Sequence, residues 1–268
     1  MFIIALAVLI AVILIWLFLC SPNMRCKRAA DYTGTKFAHR GLHSGDCAEN
    51  SIDAFERACR AGYGIELDVQ FTKDKQLVVF HDDNALRMTG CNRLIREMNL
   101  DEVRALRLVT DKSPIPTFRE VLDTVNGRVP LLVEIKTCPG IRELTEATAA
   151  MLAGYEGRYV IESFNPFCLS ALRKCAPDVI RGQLVTGRKE YLKDQAGFVA
   201  FALSQLLLNV IARPDFIAYN AKSPVTVGLW LHKKLFRTPL AAWTITDKTQ
   251  TAALSAKGTM PIFEKCKP

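Results

Sequence analysis

Between Phe2 and Cys20 the chain has no charged residue, no glycine and no proline. That absence excludes a solvated surface helix or a turn, and "FIIALAVLIAVILIWLFLC" at helical rise nearly matches the hydrocarbon core of a bilayer. The segment also lacks the marks of a secretory signal. No Lys or Arg precedes it, no small-x-small cleavage pattern follows closely, and Leu19 is large where lipoprotein processing at Cys20 wants a small residue. We therefore expect a retained transmembrane anchor over residues 1–22 and a basic juxtamembrane linker over 23–35. Basic residues are missing before the span, whereas Arg25, Lys27, Arg28 and Lys36 follow it. That asymmetry predicts a single-pass membrane protein whose body lies on the cytoplasmic side.

Further absences narrow the class. The nine cysteines are odd in number and lack pairs at metal-ligand spacing, which argues against a disulfide framework and suits reduced thiols. The net charge is +8, yet no basic stripe is interleaved with aromatics, so nucleic acid is not an expected partner. The charge reads instead as attraction to anionic headgroups of the bilayer beside the anchor. No internal repeat or low-complexity linker interrupts residues 36–268, which fit one large domain.

Within that domain short β-branched runs alternate with segments of helical period. Strands are expected at 36–40, 64–70, 76–80, 130–135, 158–163, 179–184, 215–219 and 240–245, with helices at 51–61, 101–107, 117–125, 142–152, 166–174, 196–212, 225–235 and 248–256. The pattern predicts an α/β fold, a (β/α)8 TIM barrel carrying an N-terminal transmembrane helix. "TKDK" between the second and third strands is too short for a crossover helix and requires a tight turn or a distorted crossover. The uncharged 196–212 segment is expected against the barrel wall, a membrane-facing patch being the alternative.

In "GIELDV" Glu66 and Asp68 lie two apart and share a strand face, where their charges repel unless a cation or basic group intervenes. A solvated edge strand would also tolerate them. Other polar residues end neighbouring strands, however: His39 and Arg40, His81 and Asp82, Glu134 and Lys136. Barrel active sites are built at those ends.

"FAHRGLHSGDCAENSIDAFERACRAGYGIELDVQFTKDKQLVVFHDDNALRMTG", with "PTFREVL", "LLVEIK", "IESFNP" and "WTITD", resembles the glycerophosphodiester phosphodiesterases from Phe37 to Asp247. The resemblance implies a barrel with a bound divalent cation that hydrolyses a phosphodiester to a phosphomonoester and an alcohol. It implies Glu66, Asp68 and Glu134 as metal ligands, His39 and His81 as the acid/base pair, and Arg40 with Lys136 on the phosphate. Trp243 would pack beside the substrate or plug the barrel. Glu49 and Asn50 match the family's Pro-Glu-Asn element, with Ala48 at the proline, and "MPIFEKCKP" replaces the usual Thr-Asp-x-Pro ending. Three carboxylate ligands suit one hard cation, Ca2+ or Mg2+. His43 and His232 are expected at the surface or behind the reacting groups.

The function expected is metal-dependent hydrolysis of glycerophosphodiesters to glycerol 3-phosphate and an alcohol at the membrane. A lysophospholipase D-type reaction on a lysophospholipid would use the same site. A non-catalytic barrel binding lipid headgroups would have no need of both histidines.

Overall fold

The computed structural model describes residues 1–24 and 28–268. Its strands are β1 (Phe37–Ala38), β2 (Gly64–Phe71), β3 (Leu77–Val79), β4 (Leu131–Ile135), β5 (Tyr159–Ser163), β6 (Arg181–Val185), β7 (Phe216–Asn220), β8 (Leu240–Ile245) and β9 (Met260–Phe263). All but β3 pair in parallel, and β1 joins β9 on one side and β2 on the other, closing a TIM barrel.

Two expectations need correction. The 76–80 run is not a barrel strand: β3 folds back antiparallel on β2, with Val69 opposite Val79, so "TKDK" is a tight turn. The barrel is closed instead by β9, which lies within "MPIFEKCKP". Four residues with a proline among them give too weak a strand pattern to stand out, and only pairing to β8 and β1 makes the segment a strand.

Alternation along each strand divides the core into two layers. Ile65, Leu67 and Val69 of β2 and Leu131, Val133 and Ile135 of β4 point outward, under Phe55 and Ala58 of one helix and Phe118, Val121 and Leu122 of another. The second helix, Phe118–Val125, begins with a reciprocal Thr117–Glu120 capping box and buries Phe118, Val121, Leu122 and Val125, the spacing of one helical face. Inward, Phe37, Leu132, Val160, Phe216 and Met260 fill the lower barrel. Two glycines make room for the rings: a Cβ on Gly64 would lie 2.7 Å from Phe37, and one on Gly182 would overlap the Phe216 ring.

The floor is plugged from the expected linker. The 3-10 turn Arg28–Tyr32 buries Ala29 and Tyr32; the Tyr32 hydroxyl donates to Tyr159 O at 3.1 Å, and Arg158 covers its ring. Arg28 lies at this end, 3.4 Å from Asp178, whereas Arg25 and Lys27 of the basic flank lie outside the described residues.

Among the described residues, the helix Phe2–Cys20 meets the body near its C-terminal end. Trp16 packs edge-on against Phe201 at 6.0 Å, Asn209 Nδ2 donates to Cys20 O at 3.1 Å, and Asn23 N donates to Pro214 O at 2.8 Å. The expected 196–212 helix is broken into Gly197–Ser204 and Asn209–Ala212, with Leu206 in the left-handed region between them. Ala200, Ala202 and Ser204 face inward while Phe198 is 81% exposed, so the segment is both wall and surface.

Candidate active site

Strand register places three acids in a row. Asp68 pairs with Glu134 and Glu134 with Glu162, all on the inward phase of β2, β4 and β5 above the apolar floor. Glu66 lies one layer below Asp68. Oxygens of Glu66, Asp68 and Glu134 come within 4.8 Å of one another, and all three residues are buried. Burial together with the charges of Asp68 and Glu134 pushes the Glu66 carboxyl well above its ordinary value, and burial with Glu134 and Asp68 does the same to Glu162. Burial also opposes ionisation of Asp68, but Lys136, His81, Arg40 and the Asn50 amide outweigh it and hold that carboxyl low.

Lys136 Nζ stands 2.9 Å from Glu134 and 3.3 Å from Asp68, and those two acids overcome its own burial to keep it protonated. Glu162 Oε2 is buried and accepts no hydrogen bond, and Asp68 Oδ1, also buried, has the Lys136 ammonium at 3.3 Å but no hydrogen bond. An oxygen-only donor set with such oxygens fits a hard divalent cation, which the Glu66–Asp68–Glu134 triad can hold.

Each histidine is oriented by its own carboxylate. His39, just past β1, has Nδ1 3.1 Å from Glu264 Oε2, and His81, just past β3, has Nδ1 2.6 Å from Asp82 Oδ1. The His39 hydrogen bond holds Glu264 at about 2. Burial raises Asp82, but His81 and Arg87 outweigh it and keep it below the usual carboxylate range. Ionised carboxylates only accept, so each Nδ1 carries the proton and each Nε2 is left for chemistry. The hairpin aims His81: Phe80 N donates to Asp68 O at 3.0 Å, and Gln70 Nε2 donates to Phe80 O and Asp82 O.

Arg40 adopts a left-handed φ of 55°, which brings its N–H to 2.8 Å from Glu66 Oε2 and its Nη1 to 2.7 Å from Glu49. Asn50 Nδ2 donates to Asp68 at 2.9 Å. Arg87 bridges Glu49 and Asp82, tying the Arg40 support to the His81 support. Ala48, at the proline of the family element, donates its N–H to Asp111 at 2.8 Å, a bond proline cannot make.

His39, Arg40, Glu66, His81, Glu134 and Trp243 line one recess together with Glu162 and Phe164. Lys136, just past the end of β4, reaches the same acids from the mouth side. The Trp243 ring lines the recess against Phe164, 5.6 Å away, and Nε1 donates to Ala218 O. A larger cleft, about 510 Å³, lies beside the His39–Glu264 pair between residues 41–45 and 263–267 and takes in His43. His232 is not at the surface. It is fully buried in the outer wall between Asn209 and Thr238, and desolvation pushes it down to about 4. Sequence reasoning missed Glu162 and Glu264. The inward phase of "VIES" was available for the first, but nothing local marks the second.

Anionic carboxylates, fixed cations and two oriented imidazoles at a barrel mouth are suited to an anionic ester, with the class of phosphodiester hydrolases the natural match. Residues 39–262 match the model of the glycerophosphoryl diester phosphodiesterase family, and the chain belongs to that family of phosphoric diester hydrolases. A glycerophosphodiester phosphodiesterase of Caldanaerobacter subterraneus subsp. tengcongensis is 33% identical over 208 residues, which span 72% of this chain and 83% of that one. A human lysophospholipase D is 33% identical over 112 residues, 37% of this chain and 35% of that one. Among solved structures, an Oleispira antarctica phosphodiesterase in complex with the product sn-glycerol-3-phosphate superposes with a TM-score of 0.70 at 25% identity, covering 88% of this chain and 94% of that one.

Proposed function

We propose that the protein hydrolyses glycerophosphodiesters to glycerol 3-phosphate and an alcohol, at the cytoplasmic face of a membrane in which Phe2–Cys20 is the anchor. The observation that carries this reading is the pair of histidines lining one recess, each with Nδ1 held by an ionised carboxylate. One Nε2, unprotonated, takes a proton from the attacking hydroxyl, and the other, on an imidazole that enters the step protonated at both nitrogens, delivers one to the leaving alkoxide, each step contributing about 10²- to 10⁴-fold. Arg40 and Lys136 offset the charge that builds on the phosphoryl oxygens, Arg40 through its fork and Lys136 as a point charge. Glu66, Asp68 and Glu134 would hold one Ca2+ or Mg2+, which supplies Lewis-acid stabilisation of the same charge. Trp243 forms the wall against which the glycerol moiety packs.

A lipid phosphodiester, such as a lysophospholipid, is a second substrate reading. It is favoured by an apolar cleft of about 200 Å³, lined by Phe164, Pro166, Phe167, Tyr191, Val199 and Leu203, that meets the recess at Phe164. Product release from the full chain in detergent, given both substrate types with Ca2+, Mg2+ or a chelator, tests these readings. Chelator-sensitive glycerol 3-phosphate is the expected result, and turnover of lipid alone would select the second. Folded, metal-supplied protein without turnover on either would overturn both.

A further inference from the structure

The end of the apolar helix packs along the barrel wall in a definite direction. Asn23 meets Pro214 and Asp215 just before β7, and Asp215 also accepts from the first residue of β6, Arg181, so this contact lies at the floor. Cys20 meets Gln205 and Asn209 higher up. Trp16 meets Phe201, whose ring is also covered by Arg188 from the loop that leaves the top of β6. The helix therefore climbs from floor to mouth as it runs back towards Phe2, and residues 2–15 project beyond the wall, exposed throughout.

Length then decides where the bilayer begins. The projecting part from Phe2 to Ile15 spans roughly 21 Å at helical rise. A bilayer core of about 30 Å needs nearly the whole helix, including the stretch from Trp16 to Cys20 that lies against the barrel. Crossing is complete only if the mouth side of the barrel sinks by several ångströms, comparable to the roughly 5–10 Å immersion of interfacial segments. The loops at that side are built for it. Phe167, Leu192, Phe198, Val225, Val227 and Trp230 are exposed apolar side chains on the connections that leave the tops of β5, β6 and β7. From Gln195 to Ile245 the chain has a single acid, Asp215, which is buried at the floor, and Lys222 follows the top of β7, whereas Arg213 and Arg237 precede β7 and β8 at the floor end. An apolar rim with Lys222 beside it complements a lipid surface.

We propose that the catalytic mouth faces the bilayer and that the rim around Phe198 is seated in its headgroup region, so that the recess opens towards lipid rather than bulk water. This rests on reading Phe2–Cys20 as a membrane anchor. It also reassigns the basic flank: Arg28 lies at the floor on Asp178, and headgroup contact passes to Lys222.

Three variants of the full chain with one tryptophan each test the orientation, in vesicles of phosphatidylcholine and phosphatidylglycerol whose acyl chains carry bromine. One retains only Trp16. The others replace Trp16, Trp230 and Trp243 by Phe and add Phe198→Trp at the rim or Glu156→Trp at the exposed floor edge before β5. Quenching of the 198 reporter by about twofold, with the 156 reporter unaffected, is the expected result for an immersed rim. Quenching at 156 and not at 198 would reverse the orientation and overturn the proposal. If only Trp16 is quenched, the anchor stands but the barrel is held off the membrane, and the proposal fails alone. If none is quenched, the anchor reading fails with it. Photoactivatable acyl-chain lipids applied to the unaltered chain repeat the test without substitutions: label within 188–204 supports the proposal, and label confined to 154–158 overturns it.

Discussion

Glu264→Gln isolates the carboxylate behind His39 while keeping nearly the same shape. In the parent the Nδ1–H donates to an ionised oxygen 3.1 Å away, and the side chain is largely shielded from water. A hydrogen bond to a charged partner contributes about 1.5–3 kcal/mol, roughly double a neutral one. Gln still accepts a neutral hydrogen bond, so about 1–1.5 kcal/mol is lost as charge develops on the imidazole, which lowers kcat by roughly 5- to 13-fold at about 1.36 kcal/mol per decade. KM should change little, because Glu264 acts through His39 and not on the substrate; it is a positioning residue. Glu264 itself is held at about 2 and remains ionised across the neutral range. Steady-state kinetics on a soluble glycerophosphodiester, with the thermal midpoint recorded for both proteins, reads all of this. A kcat within about threefold of the parent at an unchanged midpoint would falsify the role given to this carboxylate.

Other expectations follow from the same geometry. His39→Ala or His81→Ala should each lower turnover by about 10²- to 10⁴-fold, and a loss under tenfold would remove that residue from the proton traffic. Asp68→Asn should shift the divalent-cation titration of activity to higher concentration, and an unchanged titration would exclude it from the ligand set. Glu66 and Glu162 are raised above their ordinary values, so the folded state binds their protons more tightly than the unfolded chain. In chelator the protein should therefore gain stability as pH falls from neutral towards the ordinary carboxylate range, and saturating cation should flatten that dependence. Thermal melts at several pH values check it, and identical pH dependence with and without cation would count against the site. At lower pH the opposite sign takes over: Asp68, Asp82, Glu49 and Glu264 are depressed, and their contribution, present above the ordinary carboxylate range, is lost as pH falls through their folded values. Gly182→Ala should cost about 1–3 kcal/mol by overpacking the floor, with Phe216→Leu restoring part of it, and a neutral melt would mean that the ring moves freely.

The α/β alternation, the apolar helix, the acids of "GIELDV" and the polar strand ends were legible in the sequence, because each depends on a local period or on the chemistry of adjacent residues. From these, and from the family resemblance, the barrel and the eight proposed site residues could be named. What the sequence could not determine was whatever depends on strands far apart in the chain. β3 reads locally as another strand and becomes a hairpin arm only because its turn is short. "MPIF" becomes the closing strand only because β8 and β1 lie on either side of it, and that closure carries Glu264 to His39 across a separation of 225 residues. Likewise, Glu162 is an ordinary acid in "IESFNP" until parallel register sets it beside Glu134. Local patterns determine which element forms and which face it buries, whereas barrel closure and register are collective properties of the hydrogen-bonded ring. They alone decide which carboxylate orients which histidine and on which side of the barrel the apolar helix leaves.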